Sequence, residues 1–197
     1  MISYVEIDTA PANYPVSVAE IKSHAVIEHA GDDTIVENYL QAAITELDPP
    51  HGYLGRAMME QTLIAYLKKF PGNRIQLPFP PLVSVTSVKY QDNDGVEQTI
   101  SSAEYEVVSG PTVDPGYIVL ADGYSWPTDL DEIEHPIWIE YKAGYANVAA
   151  VPEGIRLYIM MLVAEMYRQR ELTTVSRLAE HWRGFIDKYR FRFTEWE

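Results

Sequence analysis

The 197 residues carry 29 acidic and 15 basic side chains, a net charge of −14, and no cysteine. The missing cysteine removes disulfide frameworks, thiolate zinc sites, iron-sulfur clusters and cysteine nucleophiles together, and the acidic balance opposes direct binding of nucleic-acid phosphates. The longest apolar run, Leu157 to Ala164, falls far short of the roughly 20 residues a membrane span needs and MISYVEIDTAPANYP lacks a basic stretch followed by an apolar one, so a soluble, cytosolic protein with no membrane partner is expected.

A chain of this length fits one domain, or one core with a sizeable insertion. The first element in chain order is signalled at Ser17 and Glu20, whose S-x-x-E spacing lets each side chain satisfy one free amide of a helical first turn. A helix is predicted over 18–29. Gly31, Asp32 and Asp33 interrupt it, and the aspartates are expected to cap a second helix with Ile35, Tyr39, Ala43 and Leu47 on its apolar face. Pro49 and Pro50 end that helix because neither can donate the next backbone hydrogen bond.

From Gln61 to Tyr145 the chain turns rich in Val, Ile, Thr, Tyr and Pro. Strands are predicted at 62–70, 74–77, 83–91, 96–100, 105–108, 117–120 and 137–143. VKYQDNDGVEQTI reads as a hairpin, since Asn93, Asp94 and Gly95 tolerate the positive φ of tight turns. The period returns to helical after Pro152, a good first-turn residue, and a long helix of roughly 19 residues is predicted through EGIRLYIMMLVAEMYRQREL. A last helix is predicted near Ser176, with Leu178, Trp182, Phe185 and Tyr189 at helical spacing, before the string RFRFTEWE. The fold class expected is therefore α+β. N-terminal helices (1–60) and C-terminal helices (148–197, with a terminal tail) would build a helical core, and a mostly antiparallel strand-rich region (61–147) would be inserted between them.

Charge is uneven along this plan. From Arg156 onward there are eight basic and six acidic residues; before it, seven and 23. A tail of about +2 on a body of about −16 suits a subunit whose end meets another acidic surface, or equally an ordinary basic-faced helix. Arg190, Phe191, Arg192, Phe193 and Trp196 combine the residue types that most often anchor interfaces, and are read as a partner-docking site, against the plainer reading that the aromatic rings pack on their own core.

Signals for chemistry are weak. His24, Glu28, His29, Asp32 and Asp33 look like a cation cluster, but His24 and His29 are five apart, off the three-or-four spacing of one helix face, so no metal site is assigned. Asp129, Asp131, Glu132, Glu134 and His135 could in principle serve a hydrolase, yet such a run in a loop reads first as a solvated surface. The chain has no G-x-S-x-G elbow, no G-x-x-x-x-G-K-[ST] cradle and no H-E-x-x-H helix. No catalytic residue and no cofactor are assigned.

The ordered set PVSVAEIKSH, an acidic pair before a helix, GRAMMEQT, FPGNRIQLPFPPLVSVTSVKYQDNDG, a WP in a loop, IEYKAGY and VPEGIR resembles the head-tail connector, or adaptor, family of tailed bacteriophages and gene transfer particles. The resemblance covers about residues 15–171. It rests on Pro15, Ser17, Ala19 and Glu20, on Gly55, Arg56, Gln61 and Thr62 at the approach to the sheet, on Pro71, Leu77, Pro78, Pro80, Pro81, Leu82, Val85, Val88, Tyr90, Asp92 and Gly95, and on Trp126, Pro127, Tyr141, Gly144, Tyr145, Val151, Pro152 and Ile155. ELDPPHGYLGR departs from the family pattern through its paired prolines, which points to a longer or bent loop there.

The resemblance implies a structural, non-enzymatic virion protein, with about twelve copies closing through heterologous contacts into a ring below the portal. Its implied partners are the portal protein, neighbouring copies of itself, and a stopper or tail-completion protein. DNA would pass through the extended channel without specific binding, and an acidic wall agrees with that. The implied location is the head-tail junction of the virion, with assembly in the host cytoplasm. Competing readings are another virion ring protein (a stopper or tail terminator), a small hydrolase using the 129–135 carboxylates, and a peptide-binding module using a sheet edge.

Overall fold

In a computed structural model of the protein, the residues described are 2–110, 115–169 and 184–193. The chain divides into two compact units, one of residues 1–12, 60–144 and 192–197, the other of 13–59 and 145–191, so it crosses from unit to unit four times. The architecture is mixed α+β, with N-terminal helices packed on a C-terminal helix and antiparallel sheets between them in sequence.

Helix α1 (Val18–Ala25) starts where expected. The Ser17 hydroxyl accepts from the Glu20 amide at 3.2 Å, and the Glu20 carboxylate accepts from the Ser17 amide at 2.8 Å. It ends at Ala25, short of the predicted 29, because Val26 turns left-handed (φ +57°) and the Ile27 amide returns to the Lys22 carbonyl at 2.9 Å. Helix α2 (Asp33–Leu47) has Asp32 at its N-cap, but the predicted capping bond is not formed. The Asp32 carboxylate instead accepts from the Tyr167 hydroxyl at 2.6 Å, so it ties two helices together. Its buried stripe is Val36, Leu40, Ala43, Ile44 and Leu47, with Ile35 and Tyr39 at the flank. The predicted row is thus right in part: Ala43 and Leu47 are buried and Tyr39 packs against the core, while Val36, Leu40 and Ile44 of the neighbouring i, i+4 row complete the face.

Helix α3 (Glu153–Arg168) has Pro152 at its N-cap rather than inside its first turn, and buries Ile155, Tyr158, Ile159, Val163 and Ala164. Its 16 residues make a rod of about 24 Å. The predicted final helix near Ser176, with Leu178 and Trp182, lies outside the described residues. Residues 184–186 are helical and Asp187–Tyr189 form a 3-10 turn. One core joins all of these, built around Ile21, Val36, Leu40, Leu54, Met58, Ile155, Ile159 and Val163, and Ile186 is buried in it.

The other unit holds β1 (Ile2–Thr9), β2 (Gln61–Leu67), β3 (Arg74–Gln76), β4 (Leu82–Gln91), β5 (Glu97–Ile100), β6 (Tyr105–Val108), β7 (Tyr117–Leu120) and β8 (Ile137–Ala143). They form a five-stranded sheet in the order β1-β2-β8-β4-β5 and a three-stranded sheet in the order β3-β7-β6, with every pairing antiparallel. All seven predicted strands are present with small shifts at their ends. The eighth, β1, is an addition. Residues 2–9, expected within the helical part of the chain, pair instead with β2, from Ile2 opposite Leu67 to Thr9 opposite Thr62.

Alternation decides which face is buried. In β2, Leu63, Ala65 and Leu67 point inward, opposite Tyr141, Ile139 and Ile137 of β8. Two register shifts in β4, before Ser84 and before Ser87, break its alternation and leave Leu82 and Val88 as its buried residues. The β4–β5 turn is closed by Gly95 at φ +75°, and the Asp92 carboxylate accepts from the amides of Asp94 and Val96 at 3.1 and 2.9 Å. Tyr141 is fully buried and donates to the Pro78 carbonyl at 3.1 Å, and burial pushes its phenol well above the ordinary range.

Candidate docking site

Of the five residues singled out at the C-terminus, Arg190, Phe191, Arg192 and Phe193 are described and Trp196 lies outside the described residues. The approach to them is built by α3 and by the loop after α2. Asp187, Tyr189, Arg190 and Phe191 all meet that loop, which runs Tyr53-Leu54-Gly55-Arg56. The Tyr53 hydroxyl donates to the Asp187 carboxylate, a bond that holds the phenol above its ordinary range, with burial adding to the shift. The Arg56 guanidinium donates from Nε to the Tyr189 carbonyl at 2.7 Å and from Nη1 to the Tyr145 hydroxyl at 3.4 Å. The Arg190 guanidinium lies 4.2 Å over the Tyr53 ring, a cation-π contact. Finally the Phe191 amide donates to the Leu54 carbonyl at 2.7 Å.

Gly55 makes that last contact possible. It sits at φ +62°, and a Cβ there would collide with the Phe191 carbonyl oxygen. Arg192 is exposed, and Phe191 and Phe193 are half-buried. The five residues therefore do not share one situation: Arg190 and the Phe191 backbone are held by residues 53–56, while Arg192 faces solvent. Gly55 and Arg56 were expected only to lead into the sheet, and their hold on the C-terminal segment had no local signal because the partners are some 130 residues away in sequence.

The acidic run at 129–135 is strapped to the β4–β5 hairpin by its backbone. The Asp129 carbonyl accepts from the Asn93 amide at 3.1 Å and the Asp131 amide donates to the Gln91 carbonyl at 3.0 Å. Beside it is an open cleft of about 420 Å³ lined by Phe70, Trp126, Thr128 and Leu130 among others, but by none of Asp129, Asp131, Glu132, Glu134 and His135. The His135 ring packs edge-on against Tyr4 at 5.0 Å. That cleft therefore offers no place to hold a substrate between these carboxylates.

At the other candidate cluster, Lys22 donates to the His29 carbonyl at 2.8 Å and pairs with Asp33, so a cation already sits among the acidic groups. Among the described residues no three His, Asp or Glu side chains are grouped so as to hold a metal ion. Among them, too, no helix is long and apolar enough to cross a membrane.

Against known proteins, no family model matches the sequence, and no curated protein matches it. Solved structures do. A chain in the neck of an empty gene transfer agent particle, computed with C6 symmetry, superposes with a TM-score of 0.75 at 22% identity over 97% of both chains. This chain shares that neck chain's fold. The neck of the native particle, computed with C12 symmetry, contains a chain matching at TM-score 0.74 and 21% identity, and the native virion one at 0.71 and 22%, each again over 97% of both chains. The likeness therefore extends over both units.

Proposed function

We propose that the chain is a structural head-tail connector, an adaptor subunit of a tailed phage or gene transfer particle. The observation that carries the reading is the end-to-end likeness to neck chains of a gene transfer agent: 97% of each chain is aligned, so both units have their counterpart there. In this reading about twelve copies close into a ring by heterologous contacts. The ring sits below the portal, extends the DNA channel and presents a surface to a stopper or tail-completion protein. It carries no catalytic group and no cofactor.

Docking to the portal is assigned to the C-terminal segment, Arg190, Phe191, Arg192, Phe193 and Trp196. DNA passes without specific binding, which the excess of acidic residues favours. The working location is the head-tail junction, after assembly in the host cytoplasm.

Electron microscopy of the purified protein mixed with portal oligomers from the same particle tests this. A ring at the outer end of the portal is the expected result. A ring found only at the tail end of particles would move the chain to the tail-terminator class. Turnover of an ester or glycoside substrate that is lost in both Asp131→Ala and Glu132→Ala would replace the structural reading with a hydrolytic one.

A further inference from the structure

Resting on the ring proposed above, we infer that the cleft beside Trp126 is a socket between neighbouring copies, filled by the segment Asp131-Glu132-Ile133-Glu134 of the adjacent copy. The cleft, about 420 Å³, lies between the segments 69–73 and 120–130. Two stacked rings line it, Phe70 and Trp126, with centroids 4.7 Å apart, and the Trp126 indole donates to the Gly72 carbonyl at 2.6 Å, tying one wall to the other. Lys69 is the only charged side chain among the described residues that line it. Lys68 stands beside it, also exposed, and neither lysine has an ion pair or hydrogen bond among the described residues, although the sheet unit holds 17 acidic residues to six basic. The other lysines of that unit are paired, Lys89 with Glu97 and Lys142 with Glu60.

Chemistry and position both select the occupant. Ile133 is 45% exposed and stands between two exposed glutamates. None of Asp131, Glu132 and Glu134 has an ion pair among the described residues. An apolar side chain flanked by unpaired carboxylates complements an aromatic cleft flanked by unpaired lysines. The two features also share one end of the five-stranded sheet, where Leu67 lies opposite Ile137: Lys68 to Phe70 follow the first, and Asp131 to Glu134 come shortly before the second. They lie on opposite sides of that sheet. His135 packs on the rings of Tyr4 and Tyr66, on the outer face. The cleft instead takes in Asn73 and Leu120 at the end of the small sheet, on the inner side where the Tyr141 hydroxyl reaches Pro78. Rotation about an axis along the strands therefore carries the loop of one copy to the cleft of the next without a shift along the axis, which is the condition for a ring to close instead of growing as a filament.

The absence of cysteine makes the test direct. Ser125→Cys puts a thiol in the cleft and Ile133→Cys puts one on the loop, both at exposed positions. The two singly substituted chains, alone and mixed, are assembled on portal oligomers and treated with a short bis-maleimide. A covalent dimer in the mixture, and none in either chain alone, is the expected result. Rings on the portal without a mixed dimer overturn the inference and leave the proposed function standing. A dimer from the Ile133→Cys chain alone means that two loops meet across a two-fold axis, and overturns it as well. If no ring forms on the portal even with the unsubstituted chain, the proposed function fails and the socket fails with it. Charge gives a second readout: Lys68→Glu with Lys69→Glu should weaken ring assembly by about tenfold. Adding Glu132→Lys and Glu134→Lys to that chain should restore assembly, because every copy then carries both halves of the contact reversed. A fourfold variant as weak as the first pair overturns the contact.

Discussion

The helical unit and the sheet unit are held together by different means. In the sheet unit most of the ordering comes from backbone pairing between strands, and the strand partners are set by register. In the helical unit the two halves, 13–59 and 145–191, come from opposite ends of the sequence, and side chains with long reach bridge them. Arg156 to the Pro15 carbonyl, Tyr167 to Asp32, Tyr53 to Asp187 and Arg56 to the Tyr189 carbonyl join residues 133 to 141 positions apart. Charge divides the same way. The sheet unit has 17 acidic and six basic residues, a net of −11, while the helical unit has 12 and nine, a net of −3. Two of the cations of the helical unit, Arg56 and Arg156, tie distant segments, and the sheet unit carries the larger share of the acidic excess.

The comparison can be broken or sharpened by substitution. The largest effects should be the same in both units: Ile159→Ala and Ile139→Ala each empty a fully buried site and should cost about 2–5 kcal/mol in urea denaturation. Similar losses would leave the polar ties as the real difference between the units.

Arg156→Leu should come next, at about 2 kcal/mol, because it releases the Pro15 carbonyl and the Glu20 and Glu153 carboxylates together. This loss depends on pH. The Glu20 carboxyl is held below its ordinary value, first by the hydrogen bonds from Ser17 and then by Arg156. Its contribution is therefore complete above the ordinary glutamate pKa of 4.5 and is lost as pH falls through the lowered folded value. The gap between wild type and Arg156→Leu, followed by thermal melting, should narrow over that acid range.

Ser17→Ala should cost about 1 kcal/mol by removing the cap of α1. Smallest is Tyr4→Ala on the outer face of the sheet, where the ring stacks on Tyr66 at 4.5 Å, an interaction worth about 0.5–1.5 kcal/mol. A loss larger than that of Arg156→Leu would mean that a side-chain stack on the sheet does more than a polar tie of the helical unit.

How much of the molecule was legible in the sequence depends on the range of each signal. The capping box at Ser17 and Glu20, the turn at Asp92 to Gly95 and the seven strands between 61 and 143 are local patterns and are present in the structure. β1 was hidden by a bulge. Ile2 and Val5 are both buried although they are three apart, an odd spacing that the register shift between Ile2 and Tyr4 produces. The buried face of α2 was legible only in part, because Ile35, Val36, Tyr39 and Leu40 offer two apolar rows. Asp32 looked like a cap and is one by position only, because Tyr167 of another helix claims its carboxylate. The hold of residues 53–56 on 187–191 could not be read at all, since nothing in GYLGR refers to a partner so far along the chain.

The threading of the chain also governs how it can come apart. Because it passes between the units four times, neither unit is a continuous piece of polypeptide, and cutting the chain at any single crossing leaves the two joined covalently through the other three. A subunit threaded like this cannot be parted into halves by one nick or shed one half when pulled. Such wiring suits the connector role proposed above, in which the part must stay whole while DNA is driven past it.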